Sequence, residues 1–336
     1  MRLVFFGTPQ FAVPSLARLL AEPGFEVAAV VTQPDRRRGR GSQVDASPVK
    51  QVAAAAGCTL LQPTRLKKDQ ATLTALEHLG ADAFVVVAYG QLLSQRILDL
   101  PRLGCINGHG SLLPAYRGAA PIQWGIVNGE TVTGMTTMQM NLGMDTGDML
   151  LTSRLPIGLM DNAENVAAAL SQQCADLLVE TLQGLQAATL SPNPQDDALA
   201  TYAPLIQKED FELDWKKPAI ALHNQVRGFY PSCVTAFRGQ PLKVMATAPM
   251  GSPHWAKLPP ELAALQAAVT AIASPASPAS PASPGTLVGL LKGHGPLVQT
   301  GDGLLLLRQV KPSGKQAQAG ADFANGSRLQ IGESFV

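Results

Sequence analysis

The chain has 336 residues, 46% of them apolar and 15% charged, which excludes a single small domain and fits two globular domains with substantial cores. A net charge of +1 excludes a global field that would gather nucleic acid. Residues 205–336 nevertheless hold 12 Lys and Arg against 8 Asp and Glu, while residues 1–204 hold 14 against 17, so a polyanion is expected to meet local patches, above all in the C-terminal part.

"RLVFF", residues 2–6, is an apolar run too short for a signal segment or a membrane span, and it reads as a buried first strand. It ends at "GTP", a tight turn rather than a dinucleotide loop, since GxGxxG is absent. A helical pattern at 13–20 and the run "EVAAVVT", 26–32, complete a strand–helix–strand unit. "VKQVAAAAG" and "DQATLTALEHLG" continue as helices, and "TLLQP" and "AFVVVAYG" (83–90) as strands. "MTTMQM", 135–140, is a further strand, and a long amphipathic helix is predicted over about 162–185. The fold class is therefore α/β, a doubly wound, mostly parallel Rossmann-like sheet, over residues 1–189.

Residues 190–204, rich in Pro, Ser, Asn and Asp, read as a linker. Beyond them, 205–336 shows short strands between Gly and Pro turns, the pattern of a small OB-like β-barrel. Residues of about 250–284 form an insertion, with a short helix possible before the repeats of "ASPASPASPASPG", which cannot bury a core. Cys58, Cys105, Cys174 and Cys233 lie far apart without a CxxC or a nearby histidine, so neither zinc nor a disulfide framework is expected, and a reducing cytoplasm is the simplest setting.

Two stretches carry chemistry. In "QPDRRRGRGSQ", Arg36, Arg37, Arg38 and Arg40 crowd into five residues. Either this is a solvated loop, or four mutually repelling guanidinium groups await the phosphates of a nucleic acid. In "INGHGSLLPAYRGAAPIQ", Asn107 and His109 stand at i and i+2, hence on one face of an extended segment. Asp145, in "MDTGDML", is placed to reach the imidazole. Two converging donors would make an oxyanion hole, the His–Asp pair would manage a proton, and the flanking glycines would admit a substrate. A structural asparagine turn with a surface histidine explains the same residues. His78, His223, His254 and His294 stand apart and read as surface or turn residues.

"GTPQFAVPSL", "VTQPDRRRGRG", "VVVAYGQLL", "LGCINGHGSLLPAYRGAAPIQWGIVNGE", "TGMTTMQMNLGMDTGDML" and "ATYAPLIQKEDFELDW" together resemble the methionyl-tRNA formyltransferase family, within the wider 10-formyltetrahydrofolate-dependent formyltransferases. The resemblance leaves the Ala/Ser/Pro repeats unmatched and departs at Ser42, Gln43, Ser94, Ala115 and Asn141. It implies catalytic roles for Asn107, His109 and Asp145, and folate binding by Ser111, Leu112, Leu113 and Pro114. It also implies a tRNA-recognising role for Arg40, and with it for the arginine run as a whole. The implied reaction moves a formyl group from 10-formyltetrahydrofolate, leaving tetrahydrofolate, to the amino group of initiator Met-tRNA, without a metal and without a membrane, in a monomer. The "VVVAYGQLL" segment would wall the pterin, and the C-terminal barrel would bind tRNA. A sugar or purine-precursor formyltransferase, a formyltetrahydrofolate hydrolase and a non-enzymatic RNA-binding protein remain as rivals.

Overall fold

The structure is a computed structural model that describes residues 1–37, 44–273 and 282–336. The chain runs β1 (Arg2–Gly7), α1 (Val13–Ala21), β2 (Glu26–Val31), the two-residue strands β3 (Arg36–Arg37) and β4 (Val44–Asp45), α2 (Pro48–Ala55), β5 (Leu60–Leu61), α3 (Gln70–Leu79), β6 (Ala83–Val87), α4 (Gln95–Leu98), β7 (Cys105–His109), β8 (Arg117–Gly118), α5 (Pro121–Val127), β9 (Val132–Gln139), β10 (Met149–Pro156), α6 (Ala163–Gln186) and β11 (Tyr202–Ala203). It divides into two compact units, one of residues 1–121, 132–155 and 167–204, the other of 122–131, 156–166 and 205–336.

The first unit is built on a seven-stranded sheet of order β10-β9-β7-β6-β1-β2-β5. The pairs β1–β2, β1–β6, β2–β5 and β6–β7 are parallel, and β7–β9 is antiparallel. Parallel strands need both faces covered, and β1 and β6 accordingly bury every apolar side chain they carry. Phe6 packs on Phe84 and, edge-on, on Tyr89, with ring centroids 5.3 and 5.5 Å apart. The helices start on local signals. Ser47 accepts from the Lys50 amide ahead of α2, Asp69 accepts from the Thr72 amide ahead of α3, and Gly80 ends α3 in the left-handed region. The chain order reverses between β1 and β6, and the carboxyl ends of those strands form the crevice where open α/β sheets hold ligands.

The second unit adds α7 (Ala219–Gly228), β12 (Val234–Phe237), β13 (Gln240–Met250), α8 (Pro260–Ala263), α9 (Gln266–Ala273), β14 (Leu287–Leu291), β15 (Gly295–Gln299), β16 (Leu304–Pro312), β17 (Gln318–Ala319) and α10 (Gly320–Gly326). Its antiparallel sheet runs β12-β13-β16-β15-β14, with β17 on β16. The predicted barrel is not a closed one among the described residues, because no strand pair joins β12 to β14. The C-terminal segment does so instead: Val336 exchanges backbone bonds with Ala236, and Glu333 accepts from the Leu287 amide. The run "LLLL" in β16 is explained by cover on both faces. Leu305 and Leu307 join the cluster of Leu222, Phe229 and Phe237, whereas Leu304 and Leu306 join that of Leu258, Leu262 and Val269. Those last three residues lie in the expected insertion, so its first half contributes to a core, and only 274–281 fall outside the described residues.

Candidate active site

Asn107 and His109 occupy the carboxyl end of β7, with Val86 of β6 beside Asn107 on one side and Met138 and Thr136 of β9 opposite the two on the other. The strand period puts both side chains on one face. His109 is 6% exposed, and its Nε2 lies 3.0 Å from the Tyr116 carbonyl oxygen. Its Nδ1 faces Oδ2 of Asp145 at 3.6 Å, longer than a normal hydrogen bond. The same Oδ2 accepts the Gly118 amide at 2.8 Å. Both ring nitrogens therefore face oxygens, one of them a carboxylate. The half-buried Asn107 carboxamide, by contrast, has no hydrogen-bond partner among the described residues. Asp145 and Tyr116 hold φ of +53° and +61°, left-handed values uncommon outside glycine. They are sharp turns that bring two loops to one imidazole.

The Ser-Leu-Leu-Pro segment forms the turn above this pair. Ser111 Oγ donates to the Ala115 carbonyl at 2.6 Å, and Thr136 Oγ1 donates to the Ser111 carbonyl at 2.7 Å while accepting the Leu113 amide at 3.1 Å. Ser111 and Leu113 are buried, Leu112 and Pro114 half-buried, and the Leu113–Pro114 peptide is cis. The Ser111 hydroxyl is thus engaged by the turn itself, and Leu112 and Pro114 are the members of the segment that stay partly exposed. After β6 the chain turns through residues 88–92, which border two cavities. One, about 330 Å³, is lined by Thr8, Pro9, Gln33, Ser47, Tyr89 and Gly90 among others, at the reversal point of the sheet. The other, about 370 Å³, is lined by Arg65, Lys67, Lys68, Gln91 and Leu92. Asn107, His109 and Asp145 line neither. Arg36 and Arg37 form β3, paired antiparallel with Val44 and Asp45. Arg38 and Arg40 lie outside the described residues.

Two readings of the sequence need correction. Gly108 is not there to admit a substrate: a Cβ on it would lie 2.5 Å from Cys174 Sγ of α6, on the face opposite Asn107 and His109. Its missing side chain lets the helix pack on the strand. His223 is not a surface residue. It is 2% exposed, with Nδ1 2.9 Å from Thr247 Oγ1 and Nε2 2.8 Å from the Leu159 carbonyl. Desolvation pushes its pKa down to about 4, against the opposing pull of the Leu159 carbonyl. The Gly118 amide, the Tyr116 carbonyl and Thr136 escape a reading of the sequence because the first two are backbone groups and the third lies on a distant strand. Among the described residues no group of three or more His, Cys, Asp or Glu side chains is arranged to hold a metal, and no helix is long and apolar enough to cross a membrane.

The formyl transferase family profile matches residues 1–182, and that of the formyl transferase C-terminal domain matches 205–328. The methionyl-tRNA formyltransferase of Cyanothece sp. is 60% identical over 335 residues, covering 100% of this chain and 99% of its own length. That of Trichodesmium erythraeum is 56% identical over 333 residues, 99% of this chain and 98% of its own. Among solved structures, the sugar 3N-formyl transferase WlaRD, determined with dTDP and 5-N-formyl-THF, shares the fold at a TM-score of 0.62 and 16% identity, covering 94% of this chain and 99% of that one. HypX of Aquifex aeolicus in complex with tetrahydrofolic acid does so at 0.60 and 14%, covering 99% of this chain and 48% of that one. With both domain profiles matched and such identity over the whole length, the chain belongs to the formyl transferases, and among them to the methionyl-tRNA formyltransferase family.

Proposed function

We propose that the chain transfers the formyl group of 10-formyltetrahydrofolate to the α-amino group of methionine on initiator tRNA. The observation that carries the chemistry is the unpartnered Asn107 carboxamide beside a His109 whose Nδ1 faces Asp145 at 3.6 Å. The bound folate supplies the formyl carbon. As the amine adds to that carbon, negative charge develops on the formyl oxygen. Asn107 donates to this oxygen with its free N–H, a hydrogen bond that strengthens as the charge grows. His109 donates with Nε2–H once the substrate oxygen displaces the Tyr116 carbonyl. Asp145 holds the imidazole through Nδ1, a contact that shortens when the substrate packs the site. The new C–N bond replaces the bond from carbon to N10. The proton leaving the amine passes to the Asp145 carboxylate and on to N10.

The half-buried Leu112 and Pro114 and the loop 88–93 serve as the wall for the pterin in this reading, with Ser111 and Leu113 fixing the turn from within. Arg36, Arg37, Arg38 and Arg40 grip the acceptor stem. The domain at 205–336, an OB-like module joined through 190–204 to the catalytic domain at 1–189, holds the tRNA body through its surplus of basic residues. The enzyme works as a cytoplasmic monomer. The test is direct. Incubated with 10-formyltetrahydrofolate, the protein is expected to yield formylmethionine on initiator Met-tRNA and much less on elongator Met-tRNA. Formylation of an amino-sugar nucleotide in place of Met-tRNA, or release of formate without an acceptor, would replace this reading by a rival.

A further inference from the structure

The segment that composition marks as a linker carries an unexpected density of bonds to the catalytic loops. Asn193 exchanges backbone hydrogen bonds with Met149, at 2.8 Å each. Gln195 Nε2 donates to the Asp145 carbonyl at 2.8 Å and to the Gly147 carbonyl at 2.7 Å. Its Oε1 accepts from Arg117 Nε at 3.0 Å and Nη2 at 2.9 Å, and Arg117 Nη2 also donates to Asp197 at 2.8 Å. Arg117 is 2% exposed, a buried cation with its partners in this one segment. Farther on, Thr201 receives the Tyr116 amide on Oγ1 and the Arg117 amide on its carbonyl, at 2.9 and 2.8 Å. β11 then pairs with β8, Tyr202 opposite Arg117 and Ala203 opposite Gly118. Gly118 has φ +124° and approaches so closely that a Cβ on it would lie 2.6 Å from the Ala203 carbonyl oxygen.

These bonds converge on Asp145 from two sides. Its backbone, in the left-handed region, is clamped by the Gln195 amide. Its carboxylate is bound by the Gly118 amide of β8, and β8 is held by β11. Tyr116, whose carbonyl faces His109 Nε2, hangs from the same segment. The orientation of the Gln195 amide is not free either. A guanidinium only donates, so Arg117 forces Oε1 toward itself and the NH₂ toward the two carbonyls. We propose that residues 193–203 are part of the catalytic apparatus, a strap in which Gln195 is a positioning residue for Asp145, oriented by Arg117. This rests on the catalytic reading of Asp145 given above. The strap fixes the direction from which Oδ2 meets the imidazole, and a misplacement of about 1 Å there costs a rate factor of order 10².

The test uses the full-length enzyme with both substrates saturating. Gln195→Ala is expected to lower kcat about 10–100-fold while leaving KM for 10-formyltetrahydrofolate and for Met-tRNA near wild type. Gln195→Glu keeps an acceptor for Arg117 but has no N–H for the two carbonyls, so it is expected to fold and to lose a similar factor. In an Asp145→Ala background, Gln195→Ala is expected to cost nothing more, because the group it positions is gone. A wild-type kcat in Gln195→Ala and Gln195→Glu, a rise in KM alone, or a loss that multiplies in full on Asp145→Ala would each overturn the strap while leaving the proposed function standing. An undiminished kcat in Asp145→Ala would overturn both.

Discussion

The two units each bury a histidine, one in the proposed catalytic site and one in a structural clasp, and burial alone does not tell them apart. His109 is 6% exposed and His223 2%. Both have their ring nitrogens facing oxygen. His223 sits between a threonine hydroxyl and a backbone carbonyl, both fixed and uncharged, with the buried Arg227 on its own helix. That guanidinium donates to Asn224 and to the carbonyls of Gly158 and Asp161. The arrangement ties residues 158–161 to α7 and keeps His223 neutral, with nothing left over for a substrate. His109 faces a carboxylate instead, and its neighbour on the strand carries a carboxamide with no protein partner among the described residues. What sets the proposed site apart from the clasp is the unspent hydrogen-bonding group.

The strongest way to break this contrast is to truncate both sides. Asn107→Ala is expected to lower kcat by about 10²–10³, the loss of one oxyanion donor, and His109→Ala by at least as much. The pair should fall far short of multiplying, since in the proposed mechanism the two act on one oxygen. Steady-state formylation of Met-tRNA measures this, and near-normal turnover by His109→Ala would end the assignment. His223→Ala should do the reverse. It leaves Thr247 Oγ1 and the Leu159 carbonyl without their partner, at about 1–3 kcal/mol for each group left unpaired, with kcat unchanged in the fraction that stays folded. Leu262→Ala, in the same unit, should cost about 2–5 kcal/mol for the cavity it opens. Urea unfolding midpoints read both.

The same histidine predicts an acid limit. Its folded pKa of about 4 lies below the ordinary 6.5, so the unfolded chain binds the proton first. The stability it contributes is therefore complete above pH 6.5 and is lost as the pH falls toward 4, a span worth about 3 kcal/mol at 1.36 kcal/mol per unit. Replacing His223 by Gln should flatten that part of the stability–pH curve. An unchanged slope between these pH values would mean that other groups govern it.

How much of this is legible in the sequence depends on how local the cause is. β1 and β6 can be read because each is a continuous apolar run covered on both faces, and the long helix because its period persists over six turns. Asn107 and His109 can be paired by strand period alone. Gly108 misleads because what needs its missing side chain is Cys174, on a helix much later in the chain. His223 misleads because "HNQVR" has the polar look of an exposed helix face, whereas Leu159 and Thr247, distant in sequence, supply its partners. Gln195 is invisible for a related reason: a Pro- and Asp-rich stretch has the composition of a linker whether or not it is hydrogen-bonded to a loop. The backbone pairing of Glu333 with Leu287 and of Val336 with Ala236 likewise has no strand-length signal.

The arginine run sharpens the comparison from the substrate's side. If Arg36, Arg37, Arg38 and Arg40 meet phosphates, replacing all four by Ala should raise KM for Met-tRNA and leave that for 10-formyltetrahydrofolate in place. The log–log salt slope should shrink by roughly 0.7–0.9 for each phosphate no longer neutralised. Arg40→Ala alone should account for the largest single share. Kinetics at two salt concentrations distinguish this from a solvated loop, for which the quadruple variant would match wild type at both.

The smallest effect is expected inside the insertion, where two neighbouring stretches should behave oppositely. Up to Ala273 the chain is anchored: Leu258, Leu262 and Val269 are buried, and a Cβ on Gly289 would lie 2.7 Å from Ile272. The eight residues that follow, 274–281, read "SPASPASP" and contain no side chain larger than proline. Serine, alanine and proline side chains offer little apolar surface whose loss would cost stability, and chain length between two fixed points enters stability only through a slowly varying term. Replacing it by alternating Gly and Ser of equal length preserves the span between Ala273 and Ala282. It should move the unfolding free energy by no more than about 0.5 kcal/mol and leave formylation untouched. A drop comparable to that of Leu262→Ala would show that the Ala/Ser/Pro stretch contributes to stability as the buried leucine does, against what its composition leads one to expect.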